Sequence, residues 1–143
     1  MGLLNFLKSA GKSIFGGGAQ AAEPEKLKEE IAAAGLDASK FEVALEGDKV
    51  VLKGAAATQE EREKAILAVG NVEGVATVED SVEVAAPEPE SVFHTVEKGD
   101  TLSAIAKKHY GDANKYMKIF DANKPMLSHP DKIYPGQVLR IPA

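Results

Sequence analysis

A chain of 143 residues with a net charge of −5 and no cysteine has room for one or two small domains with modest cores. It has no disulfide, no thiolate nucleophile and no cysteine-ligated zinc, and this usage is compatible with a reducing compartment. Charge is uneven: residues 23–86 hold 15 acidic and 7 basic side chains, whereas residues 93–143 hold 8 Lys or Arg against 5 acids. Opposite signs would draw the halves together by a salt-screened attraction, or each would simply be solvated. No basic stripe interleaved with aromatics occurs, which argues against nucleic acid.

Residues 1–22 begin with Leu3, Leu7, Ala10 and Ile14 on one stripe and Phe6 beside it, which predicts an amphipathic helix. No apolar run there exceeds two residues, and Lys8 and Lys12 interrupt it, so neither a secretory signal nor a membrane span is expected. Phe6 stands where a myristoylation pattern wants Ser or Thr. Such a helix docks on its own domain or lies on a membrane surface; with two lysines to hold an anionic surface, docking is the preferred expectation. Gly16-Gly17-Gly18-Ala19-Gln20-Ala21-Ala22 reads as a flexible tether.

Residues 23–86 carry a regular pattern. Pro24 suits a first helical turn, Leu27, Ile31 and Ala34 line one side, and Gly35 ends the helix. Phe41, Val43 and Leu45, then Val50 and Leu52, alternate around Gly47-Asp48 and predict a hairpin. Thr58 with Glu61 is a capping-box signature for a helix that buries Ala65, Ile66 and Val69 and runs to Gly70. Val78, Val82 and Val84 alternate as a third strand. Val75 is out of phase with them, which predicts a kink or bulge between Val75 and Val78. At the junction Gly70-Asn71-Val72-Glu73-Gly74-Val75, two glycines let the backbone turn carbonyls inward just where helical bonds run out. Converging carbonyls need water, a donor or a cation, and Gly11 could free others in the N-terminal segment. The plainer reading is a C-cap and a tight turn.

Residues 87–92, Pro87-Glu88-Pro89-Glu90-Ser91-Val92, form a short, stiff acidic linker. In residues 93–143, Val96 ends an alternating run, Gly99 turns the chain, and Asp100 or Thr101 offers an N-cap oxygen. Leu102, Ile105 and Ala106 predict one helix; Tyr116, Met117, Ile119 and Phe120 a second, stopping near Asn123-Lys124-Pro125. Pro135-Gly136 predicts a type II turn into the strand Val138-Leu139-Arg140-Ile141. The expected fold is α+β: two small domains, αββαβ after the extra helix, then βααβ. His94, His109 and His129 have no carboxylate or nucleophile at ligand spacing and read as surface residues, so a non-enzyme is expected.

Val96-Glu97-Lys98-Gly99-Asp100-Thr101-Leu102-Ser103-Ala104-Ile105-Ala106, Ala122-Asn123 and Ile133-Tyr134-Pro135-Gly136-Gln137-Val138-Leu139-Arg140-Ile141-Pro142 resemble the LysM domain. That resemblance implies binding of N-acetylglucosamine-containing glycans such as peptidoglycan between Gly99–Leu102 and Lys124–Tyr134, through Gly99, Asp100, Thr101, Leu102, Asn123, Ile133 and Tyr134. Val50-Val51-Leu52-Lys53-Gly54, the capped helix and Val72-Glu73-Gly74-Val75 leading to Val82-Glu83-Val84 resemble the BON domain, a module linked to membranes, phospholipid or osmotic stress.

The whole order, with Ala68-Val69-Gly70-Asn71 and Lys132 to Pro142, is similar to a family of bacterial cytoplasmic potassium-binding proteins. The resemblance implies a K+ ion held by backbone carbonyls of Leu7, Ala10 and Lys12 with those of Gly70, Val72 and Val75; a monomer is expected, and binding that pins residues 1–15 to the BON domain would make it more compact. Rubidium or caesium are the expected substitutes. Neutral dipoles suit a large monovalent cation, whereas magnesium and calcium favour carboxylates. A glycan-binding envelope protein and a lipid-surface protein anchored by residues 1–15 are the competing readings.

Overall fold

The computed structural model describes residues 2–5, 24–72, 75–86, 91–124 and 126–142. Its N-terminal part is a four-stranded sheet with helices on one face. In chain order the elements are β1 (Gly2–Asn5), α1 (Pro24–Ala33), β2 (Phe41–Glu46), β3 (Lys49–Thr58), α2 (Gln59–Gly70) and β4 (Thr77–Ala86). The strand order is β1-β4-β3-β2, with β3 and β4 parallel and the outer pairs antiparallel. The parallel pair requires a crossover, which α2 provides.

Alternation selects the faces. Phe41, Val50, Leu52, Ala56 and Val78 turn toward the helices and bury there with Leu27, Ile31, Ile66 and Val69. Full burial of each large side chain contributes about 1.5–3 kcal/mol. Gly54 sits where β3 meets the start of β2: a Cβ would fall on the Lys40 carbonyl oxygen and within 2.9 Å of Phe41 Cα. The expected capping box is present with its return arm displaced. Thr58 Oγ1 accepts the Glu61 amide at 3.2 Å, and the Glu61 carboxylate accepts the amide of Ala57 at 2.9 Å.

Two local expectations change. The predicted helix does not begin at Leu3, because Gly2–Asn5 is extended and pairs with β4, Leu3 opposite Glu79 and Leu4 opposite Val78. An open strand edge offers a row of backbone partners, whereas a short helix on its own is marginal. The rest of that helix, Phe6 to Ile14, and the tether Gly16–Ala22 lie outside the described residues. The phase break at Val75 also resolves outside the sheet, since β4 starts at Thr77. Val75 lies in the approach, its amide donating to the Val72 carbonyl at 3.1 Å, while the Ala76 amide bonds the Asp48 carbonyl at 2.9 Å.

The C-terminal part is β5 (Val92–Thr95), α3 (Leu102–Tyr110), α4 (Tyr116–Ala122) and β6 (Val138–Ile141), with β5 and β6 antiparallel. Val92, placed in the linker from sequence, is the first residue of β5. Val96, Leu102, Ile105, Ala106, Ile119, Phe120, Leu127, Leu139 and Ile141 form its core. Thr101, not Asp100, caps α3, its hydroxyl accepting the Ala104 amide at 3.1 Å. Gly136 adopts φ +90° in the turn, which closes with the Gln137 amide on the Tyr134 carbonyl at 3.1 Å.

The two parts share buried contacts along β6. Val138 belongs to the first core, with Phe93 and Met126 packed against it. Val138 and Arg140 turn their backbone groups away from β5, as alternate residues of an antiparallel pair must, and asparagines receive them. Asn71, the C-cap of α2, accepts the Val138 amide and donates to its carbonyl, each at 2.9 Å. Asn123, the C-cap of α4, does the same for Arg140 at 2.8 and 2.9 Å. The Arg140 guanidinium reaches the α2 carboxylate of Glu63 at 2.8 Å and the Ala122 carbonyl at 3.0 Å. Glu63 also accepts from Gln59 at 2.9 Å and from the Ser91 amide at 2.8 Å. Burial opposes its ionisation, but the bonds from Ser91, Gln59 and Arg140 outweigh that cost and hold its pKa below the ordinary carboxylate value.

Candidate cation site

The junction after α2 is where the helix leaves carbonyls without helical partners. The Asn71 amide takes the Leu67 carbonyl at 3.0 Å, the last bond of the helical series. Gly70 is buried, as are Val72 (1% exposed) and Val75 (0%). The Val72 carbonyl accepts the Val75 amide and retains a second lone pair. The Asn71 side chain bonds Val138 through both its oxygen and its nitrogen and contacts Met126 Sδ at 3.3 Å, so it fixes the junction to β6.

Of the six carbonyl-bearing residues expected at a cation site, Gly70 ends α2 and Val72 and Val75 lie between α2 and β4. Leu7, Ala10 and Lys12 lie outside the described residues, as do Glu73 and Gly74. The register of β1 places the end of the first strand beside the junction: Asn5 pairs with Thr77, so β1 ends where the junction enters β4. Among the described residues no group of three or more His, Asp or Glu is placed to hold a metal ion.

The residues expected to bind glycan are spread over different roles. A cleft of about 440 Å³ is lined by Thr101, Leu102, Ser103, Tyr116 and the 129–131 loop, a size suited to a small ligand. Thr101 and Leu102 reach it, although Leu102 is also a core residue. Gly99 makes the preceding turn, with φ +90°. Asp100 accepts the Glu97 amide at 2.9 Å. Asn123 is 2% exposed and engaged with Arg140 and the Ile119 carbonyl. Ile133 packs on the second core, and Tyr134 is partly buried, which raises its phenol pKa.

The histidines correct the surface reading. His94 Nε2 lies 3.1 Å from Asp100 and its Nδ1 lies 3.2 Å from His109 Nε2; only His129 stands exposed. Sequence reasoning also missed Glu63, Arg140, Asn71 and Asn123 as partners. Arg140 inside the apolar run Val138–Ile141, and Glu63 on the stripe with Ile66, were the available signals.

Residues 24–86 match the BON domain and residues 94–142 the LysM domain, so the chain is a two-module BON–LysM protein. It is 48% identical over 147 residues, covering 99% of both chains, to the "Potassium binding protein Kbp" of Escherichia coli O6:H1 (strain CFT073). The chain belongs to the family of that protein. It is also 38% identical over 113 residues, 71% of this chain and 44% of the relative, to an uncharacterized protein of Deinococcus radiodurans. A further 58 residues, 34% of this chain, are 43% identical to 26% of the uncharacterized protein YqbP of Bacillus subtilis (strain 168). Among the described residues no helix is long and apolar enough to cross a membrane.

Proposed function

We propose that this chain is a cytoplasmic, non-enzymatic potassium-binding protein that acts as a monomeric ion sensor. The ion is held by the carbonyls of Leu7, Ala10, Lys12, Gly70, Val72 and Val75, and rubidium or caesium would enter the same site. The end-to-end similarity to a potassium-binding protein supports the ligand. The observation that carries the location is the β1–β4 register. Leu7 lies two residues beyond Asn5 and Val75 two before Thr77, so pairing of Asn5 with Thr77 starts both segments from one point of the sheet edge. Binding would tie residues 1–15 to the BON module and make the molecule more compact.

Thermal unfolding with and without residues 1–15 tests this reading. At a potassium concentration of 100 times Kd the full chain gains about 2.7 kcal/mol, and a raised Tm is the expected result. The truncated chain should show no potassium-dependent rise; an undiminished rise would refute the assignment. The cleft at Thr101, Ser103 and Tyr116 favours a second reading, glycan binding, which retention on peptidoglycan would support.

A further inference from the structure

The LysM module contains a chain of three groups that the cation site does not use. Asp100, just before α3, accepts the Glu97 amide at 2.9 Å and faces His94 Nε2 at 3.1 Å. An ionised carboxylate only accepts, so His94 carries its proton on Nε2, and in the neutral ring Nδ1 is an acceptor. That nitrogen lies 3.2 Å from His109 Nε2 on the last turn of α3, with the rings at 86° and their centroids 5.2 Å apart. His109 must then donate from Nε2. The hydrogen bonds thus determine both tautomers.

We infer that His94 and His109 form a proton-operated latch between β5 and the end of α3, which accommodates one added proton and is forced open by a second. The first proton goes to His109 Nδ1, which leaves Nε2–H still donating to His94. A second has only His94 Nδ1 to occupy, and it sets two N–H groups head to head between two imidazolium rings. Asp100 is the acid in contact with this pair. Lys108 on α3 adds positive charge near both Asp100 and His109. From β6, Leu139 stands opposite His94, and Arg140 is committed to Glu63. Among the described groups, one carboxylate therefore faces two rings.

The direction of His109 agrees with this geometry: burial first, then the charges of His94 and Lys108, hold its pKa below the ordinary 6.5. The state with both rings charged is the one that the folded chain resists and the unfolded chain accepts. Stability is therefore complete above about 6.5 and drains as pH falls below it, by at most about tenfold in the unfolding constant per pH unit for one proton. The consequence is local, since Asp100 adjoins Thr101 and Leu102, which border the cleft. Opening of the latch therefore loosens one rim of that cleft.

Imidazole ¹⁵N spectra of the full chain between pH 7.5 and 4.5 test the latch. The expected result is an Nε2–H tautomer for both rings at neutral pH and two separate titration steps. The lower step should move the amides of residues 100–102. If His94 and His109 take up both protons in a single step, the latch does not exist. In His109→Gln a non-titrating amide can still donate to His94, so the rise in the unfolding constant between pH 7 and pH 5 should shrink several-fold. An unchanged rise would overturn the inference, and should this variant not fold, the wild-type titration decides.

Discussion

Glu63 and Arg140 form an ion pair with side chains 1% and 8% exposed, where the cost of desolvation and the gain of attraction are both large. Such a pair contributes modestly as a unit but is expensive to break singly. Arg140→Met is expected to destabilise the chain by about 3–5 kcal/mol, because it leaves a carboxylate buried without its guanidinium. The double change Glu63→Met with Arg140→Met should recover most of that loss, as read by urea unfolding. Asn71 and Asn123 are different in kind: each presents a side-chain amide as if it were a neighbouring strand, and both backbone groups of one β6 residue are satisfied by it. Their residue type was visible at two helix ends in the sequence. Their partners were not, since 67 and 17 positions separate donor from acceptor and no periodicity relates them.

At the scale of elements, most of the architecture was legible. Leu27 and Ile31, the alternation through Phe41–Leu52, and Thr58 with Glu61 each carry a local signal that agrees with the observed α1, hairpin and α2. The start of the chain misled because Leu3, Leu7, Ala10 and Ile14 fit a helical stripe, while the reason for extension at Gly2–Asn5 is the edge of β4, far along the chain. The junction after α2 was legible from Gly70 and Gly74 and the phase break at Val75, but its approach to β1 was not. In an antiparallel pair alternate residues of a strand point their amides at the neighbour. Replacing both Leu3 and Leu4 by proline therefore removes at least one ladder bond. This variant should keep the far-ultraviolet dichroism of the rest and lose most of the potassium-dependent rise in Tm. A full rise would mean that β1 does not position the site.

At the scale of the whole molecule, the acidic first part and the basic second part meet in the buried pair Glu63–Arg140, beside the Asn71 clamp on Val138. Acid provides the test of that contact. The Glu63 pKa is depressed from the ordinary 4.5, so its stabilisation is complete above about 4.5 and is lost as pH falls through its folded value. The unfolding constant should rise in that window in the wild type and rise less in Glu63→Gln. This acid window lies below the one expected for His109, which starts near 6.5, so one pH series separates the two groups.

The outward rim of β6 has a further implication for how the modules came to live together. Asn123 travels with LysM, but Asn71 belongs to BON, so a LysM piece cut free would carry Val138 with its main-chain amide and carbonyl uncovered. An uncovered rim invites a second chain to zip alongside. The neighbouring module is thus a built-in guard against self-association, as well as the place where a cation is proposed to sit.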